Sequence, residues 1–146
     1  VFDNVNKMLA RCWRYGSAVW LCNHDTLPQV STLYMPIGTG GERISIYQPG
    51  SEDAPFGTLL GRPIFPTEFC RKLGDKGDLV LGNWSQYLEG TYGQMEEAQS
   101  IHVRFLEREQ AFLFVESNDA KAWWRSALTP RYSAVTLSPF VVLEAR

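Results

Sequence analysis

Apolar positions near the start of the chain recur at helical spacing. Val5, Met8, Leu9, Cys12 and Trp13 fall at i, i+3, i+4, i+7 and i+8, the stripe of an amphipathic helix. The spacing predicts a helix over residues 3–15, capped by Asp3 and stopped at Gly16. Directly after it, Ala18-Val19-Trp20-Leu21-Cys22 is a continuous apolar run, which reads as a strand buried on both faces. A second helix is predicted from Asp25 or Thr26, over residues 26–34. Pro28 is tolerated in its first turn, and Leu27, Val30 and Tyr34 form its inner face.

The period then changes. Residues 36–58 hold five Gly and three Pro, which predicts mainly loop, with Ile44 and Ile46 in an edge hairpin. Pro63-Ile64-Phe65-Pro66 is extended and proline-flanked, as suits an edge strand. Arg71 to Asp78 reads as an exposed loop, and Leu79-Val80-Leu81 as a short buried strand. Further strands are predicted at Gln86–Tyr92, at Ile101–Phe105 where apolar and polar residues alternate, at Ala111–Val115 and at Phe140–Leu143. A Trp-rich connection, Trp123 to Pro139, lies before the last strand. Two helices and six or seven strands give an α+β fold, a mixed central sheet flanked by helices with long carboxy-terminal strands. No repeat or linker divides the chain, so residues 1–146 are expected to form a single domain.

Composition narrows the function. With 45% hydrophobic and 21% charged residues the chain is not a disordered one. Its 14 basic and 16 acidic residues give a net charge of −2, without the basic excess that gripping phosphates requires. No sequence-specific nucleic-acid binding is expected. No apolar run approaches the ~20 residues that span a bilayer, and no leader pattern opens the chain, so no membrane partner is expected. The start at Val1, moving directly into a helical pattern, suggests a piece of a longer polypeptide. Three cysteines cannot all pair within one chain and read as reduced, packed thiols.

Candidate chemistry is thin. Cys22 and His24 are two apart and would share a face of an extended strand, but nothing nearby supplies an orienting acid or an oxyanion hole. A small hydrolase or transferase using Cys22 or Cys70 is the competing reading from another class. Cys12, Cys22, His24, Cys70 and His102 show no metal-ligand spacing, so neither metal nor cofactor is expected. Gly38-Thr39-Gly40-Gly41 lacks the Lys of a phosphate loop and is followed by Glu42; it reads as a hairpin turn. Glu96-Glu97 reads as a solvated acidic pair. No catalytic residue emerges.

Several blocks, in order, resemble one family. They are Thr58-Leu59-Leu60-Gly61-Arg62-Pro63-Ile64, the run from Gly77-Asp78-Leu79 to Ser85-Gln86-Tyr87, Phe112 to Glu116, and Leu137-Ser138-Pro139-Phe140-Val141-Val142-Leu143. Together with the helix, strand, helix order upstream, they are similar to the carboxy-terminal part of tailed-bacteriophage major capsid proteins with the Hong Kong 97 fold. The resemblance implies most of an axial (A) domain, with residues about 101–146 including strands of the peripheral (P) domain. The amino-terminal arm, E-loop and spine helix have no counterpart. Some members join subunits covalently through a Lys of the E-loop and an Asn before the long strand; Arg108-Glu109-Gln110 stands here instead, so no crosslink is implied.

The resemblance further implies a shell subunit and not an enzyme. It would be made in the bacterial cytoplasm, end in the virion capsid and assemble through hexamers and pentamers to enclose DNA. Its partners would be other copies of itself, with scaffold and portal proteins. An encapsulin shell, which shares the fold, is the alternative. Arg71, Lys72, Asp75, Lys76 and Asp78 are expected to form a subunit-contact loop, because alternating charges can pair with their own copy under rotational symmetry. A merely solvated turn is the competing reading.

Overall fold

The computed structural model describes residues 2–37, 41–52 and 54–145. They fold as an α+β structure in two compact units, residues 1–86 with 124–146, and residues 87–123. In the first unit, α1 (Phe2–Arg11) is followed by β1 (Val19–Cys22), α2 (Leu27–Ser31), β2 (Tyr34–Ile37) and β3 (Glu42–Ser45). β4 (Tyr47–Gln48), β5 (Thr58–Leu59), β6 (Arg62–Pro66) and β7 (Leu79–Gly82) come next. The second unit consists of β8 (Tyr87–Ser100) and β9 (Ala111–Ala122), and β10 (Phe140–Val142) returns to the first.

A six-stranded sheet in the order β10-β7-β1-β6-β5-β4 organises the first unit. β1 runs parallel to β6 and antiparallel to β7, so the sheet is mixed. Trp20 and Cys22 project from β1 into the core, while Val19 and Leu21 are half-buried; the run is fully covered on one face only. Val5 and Met8 of α1 meet Trp20, Ile64, Leu79 and Leu81 in that core. Tyr15 ties the helix exit to the sheet: its hydroxyl accepts a hydrogen bond from Trp20 Nε1 and donates to the Leu60 carbonyl at 2.9 Å.

Several expectations shift. α1 begins at Phe2, before Asp3, and stops at Arg11, not at residue 15. Cys12 instead bridges to Ser138, and Arg14, at φ 53, makes the left-handed turn expected of Gly16. Leu9 is half-buried, not a core residue. α2 is one short helix, because Thr32 caps it and Tyr34 already belongs to β2, where it is exposed. β2 and β3 form a separate two-stranded hairpin that holds Ile44 but not Ile46, which lies beyond β3 and is buried in the core; the hairpin's tip, Gly38-Thr39-Gly40, lies outside the described residues. β6 is not an edge strand. It sits between β1 and β5; Pro63 stands opposite Thr58 just before the β1 pairing begins at Ile64, and Pro66 ends the strand beyond the two-residue β5.

The strand expected at Ile101–Phe105 is absent. These residues form the exposed turn between β8 and β9, with a 3₁₀ turn at Phe105–Glu107 and Arg108 at φ 54. A short alternating run does not by itself distinguish a strand from a turn whose side chains all face water. β8 is correspondingly longer than expected, reaching Ser100 through an irregularity between Tyr92 and Glu96.

Candidate assembly surface

The charged loop 71–78 is held at both ends. Asn23 donates from its side chain to the Cys70 carbonyl at 2.9 Å, and Gly77 N–H donates to the Leu143 carbonyl at 2.9 Å. Gly74 and Gly77, at φ 94 and 90, take the two left-handed corners. Arg71, Lys72, Asp75 and Lys76 point to solvent, and Lys76 lies 3.5 Å from Glu144. Asp78 does not join them. It is fully buried, and its carboxylate accepts the Gly74 N–H at 3.0 Å, so it shapes the loop from below. Loop 71–78 therefore exposes four of its five charged residues.

The ribbon β8–β9 presents a second surface. Residues paired across it share a face, so Tyr87, Glu89, Glu97, Gln99, Phe112, Phe114 and Glu116 lie on one side. Leu113 and Val115 lie on the other. Phe112, Leu113 and Phe114 are 62%, 59% and 62% exposed, and Leu106 in the turn is 95% exposed. A shallow hollow of about 350 Å³ lies over Glu97, Gln99, Phe112 and Phe114. The apolar run 111–115, which has the pattern of a strand covered on both faces, is bare on both.

The candidate reacting groups are not assembled. Cys22 is buried in the core while His24 is exposed, because the chain leaves β1 at Asn23; the shared face expected of them does not form. Burial, and then the neighbouring Cys70 and Asp78, pushes the Cys22 thiol up to about 12. Burial also raises Cys12 and Cys70, so all three are protonated, weakly nucleophilic thiols at neutral pH. Among the described residues no group of three or more His, Cys, Asp or Glu could hold a metal. Glu96 and Glu97 point to opposite faces of β8. Among the described residues no helix is long and apolar enough to cross a membrane.

A model of the phage capsid family matches residues 1–129 of the chain. The chain belongs to the phage capsid family. No curated protein matches it. Among solved structures it is similar to the capsid of an empty GTA particle computed with C5 symmetry, at a TM-score of 0.57 and 12% identity. That match covers 82% of this chain and 40% of the GTA capsid chain, and at such identity it is a likeness of fold. For a phage capsid family chain, the residues that sequence reasoning missed are the exposed apolar ones of the ribbon. Their signal was present in Ala111-Phe112-Leu113-Phe114-Val115, but a run that needs cover on both faces looks the same whether that cover lies in its own core or elsewhere.

Proposed function

We infer that this chain is part of a structural capsid subunit that assembles with copies of itself, through hexamers and pentamers, into an icosahedral shell enclosing DNA. The observation that carries the reading is the family match over residues 1–129, on a chain whose β8–β9 ribbon bares apolar residues on both faces. A shell subunit needs apolar area to bury against neighbours. The subunit is not an enzyme: its thiols, buried at Cys12 and Cys22 and half-buried at Cys70, are held protonated, and its surface chemistry is that of contact. Synthesis takes place in the bacterial cytoplasm, followed by incorporation in the virion, with scaffold and portal proteins as assembly partners. Loop 71–78 touches a neighbouring subunit through Arg71, Lys72, Asp75 and Lys76. The test is mass spectrometry of particles purified from an induced culture. Peptides of this chain should co-sediment with closed shells as a dominant protein; their absence from the shells would overturn the reading.

A further inference from the structure

Charge is divided unevenly along this chain. Residues 87–123 carry seven acids and three bases, a net −4 within a whole-chain −2, which leaves +2 on the rest. On the ribbon face that bears Phe112 and Phe114, the charged residues Glu89, Glu97 and Glu116 are all acids. It is an apolar, acidic face, and it is exposed.

The first unit holds the opposite. Residues 4–24 contain no Asp or Glu, and neither do residues 124–143. The fold brings these two acid-free stretches together. Trp13 N–H donates to the Ser138 carbonyl at 3.0 Å and Ser138 N–H to the Arg11 carbonyl at 2.9 Å. The Trp13 and Trp124 rings lie 5.1 Å apart, with the Arg14 guanidinium 4.6 Å from the Trp13 ring centre. Arg11, Arg14 and Arg125 are exposed around these half-buried rings. Glu144 lines the neighbouring groove with Lys7 and Arg11, but it lies 3.5 Å from Lys76. The result is a basic, aromatic face on a chain of acidic balance.

We propose that the acidic face of the ribbon seats on the basic aromatic face of a second copy of this chain. The two surfaces match in sign and in kind: carboxylates meet guanidinium groups, and Phe112 and Phe114 meet the half-buried Trp13 and Trp124 rings. The proposal rests on the capsid reading for the presence of many copies, and on the charge division for the choice of partner. An ion-paired contact of this sort weakens as salt screens it.

A charge-swap experiment with the 146-residue chain tests it. Sedimentation velocity of the wild type should show self-association in low salt that is lost in high salt. Arg11→Glu with Arg125→Glu, and separately Glu97→Arg with Glu116→Arg, should each weaken that association at least about tenfold. All four positions are exposed, so circular dichroism should show both variants folded. Mixed together, the two variants regain complementary faces and should form heterocomplexes. An attraction within one chain could not produce that recovery. Failure of the mixture to associate, or association of the wild type that ignores salt, overturns the proposal. So does salt-sensitive binding of a short DNA duplex by the Arg11/Arg125 face without heterocomplex formation, which would make that face a phosphate site. Shells of normal yield built from subunits carrying Arg11→Glu and Arg125→Glu would sink the docking while leaving the capsid reading intact.

Discussion

Leu81 and Leu9 show how strongly context sets the worth of one side chain. Leu81 is fully enclosed between α1 and the sheet, so Leu81→Ala should cost about 3–5 kcal/mol in denaturant unfolding. Leu9 belongs to the same apolar pattern but ends half-buried, and Leu9→Ala should cost only about 1 kcal/mol. Equal losses would mean that the two sites are equally buried. Gly57 is the sharper case. At φ 86 it turns the chain into β5, where an added methyl would strike the Gln48 carbonyl oxygen and lie 2.6 Å from the Tyr47 hydroxyl. Gly57→Ala should therefore destabilise by more than about 2 kcal/mol, and an unchanged unfolding midpoint would contradict the turn. The thiols add a pH signature. The unfolded chain releases its cysteine protons near the ordinary 9.0, whereas folded Cys22 keeps its proton to about 12. Stability from this source is complete below pH 9 and is lost as pH rises from 9 towards 12. Folded Cys22 should likewise resist thiol reagents at pH 8 and react only on unfolding.

At the scale of elements, what could be read in advance follows from how local each cause is. The stripe of α1, the Trp20 strand, the Leu79–Leu81 strand and the closing Phe140 strand all carry their pattern within a few residues, and all appear. The ends of α1 and α2 did not follow from pattern, because a pairing elsewhere sets them: Cys12 is taken up by Ser138, and Tyr34 by Ser45. The Arg71–Asp78 loop was legible as a loop, but not the inward turn of Asp78, which depends on Gly74 coming back to meet it. The ribbon was the least legible element, since half of what fixes its character is what will cover it. Two strands without a packed face are marginal in water. Hydrogen exchange on this chain should therefore show the slowest amides in β1 and β7, and faster exchange along β8 and β9 despite their greater length. Protection of the ribbon equal to that of β1 in dilute, high-salt solution would show it to be stable without cover.

For the whole molecule, the number of neighbours each copy can hold decides what it builds. A ribbon of one copy seated on the basic face of the next is a head-to-tail contact, and such contacts close into rings or run on as filaments. A closed shell needs more, because each ring must also grip the rings around it. This chain spans 40% of the GTA capsid chain it resembles. The proposed head-to-tail contact and the charged loop would together supply too few independent interfaces to fix a curved lattice. Exposed ion pairs such as Lys76 with Glu144 add little, typically under about 1 kcal/mol each. The 146-residue chain should accordingly fold, sediment as a monomer in high salt and as small oligomers in low salt, and scatter light with no shell-sized species at any ordinary concentration. Closed particles seen by electron microscopy from this chain alone would mean that the ribbon, the basic face and loop 71–78 already contain every contact a shell requires.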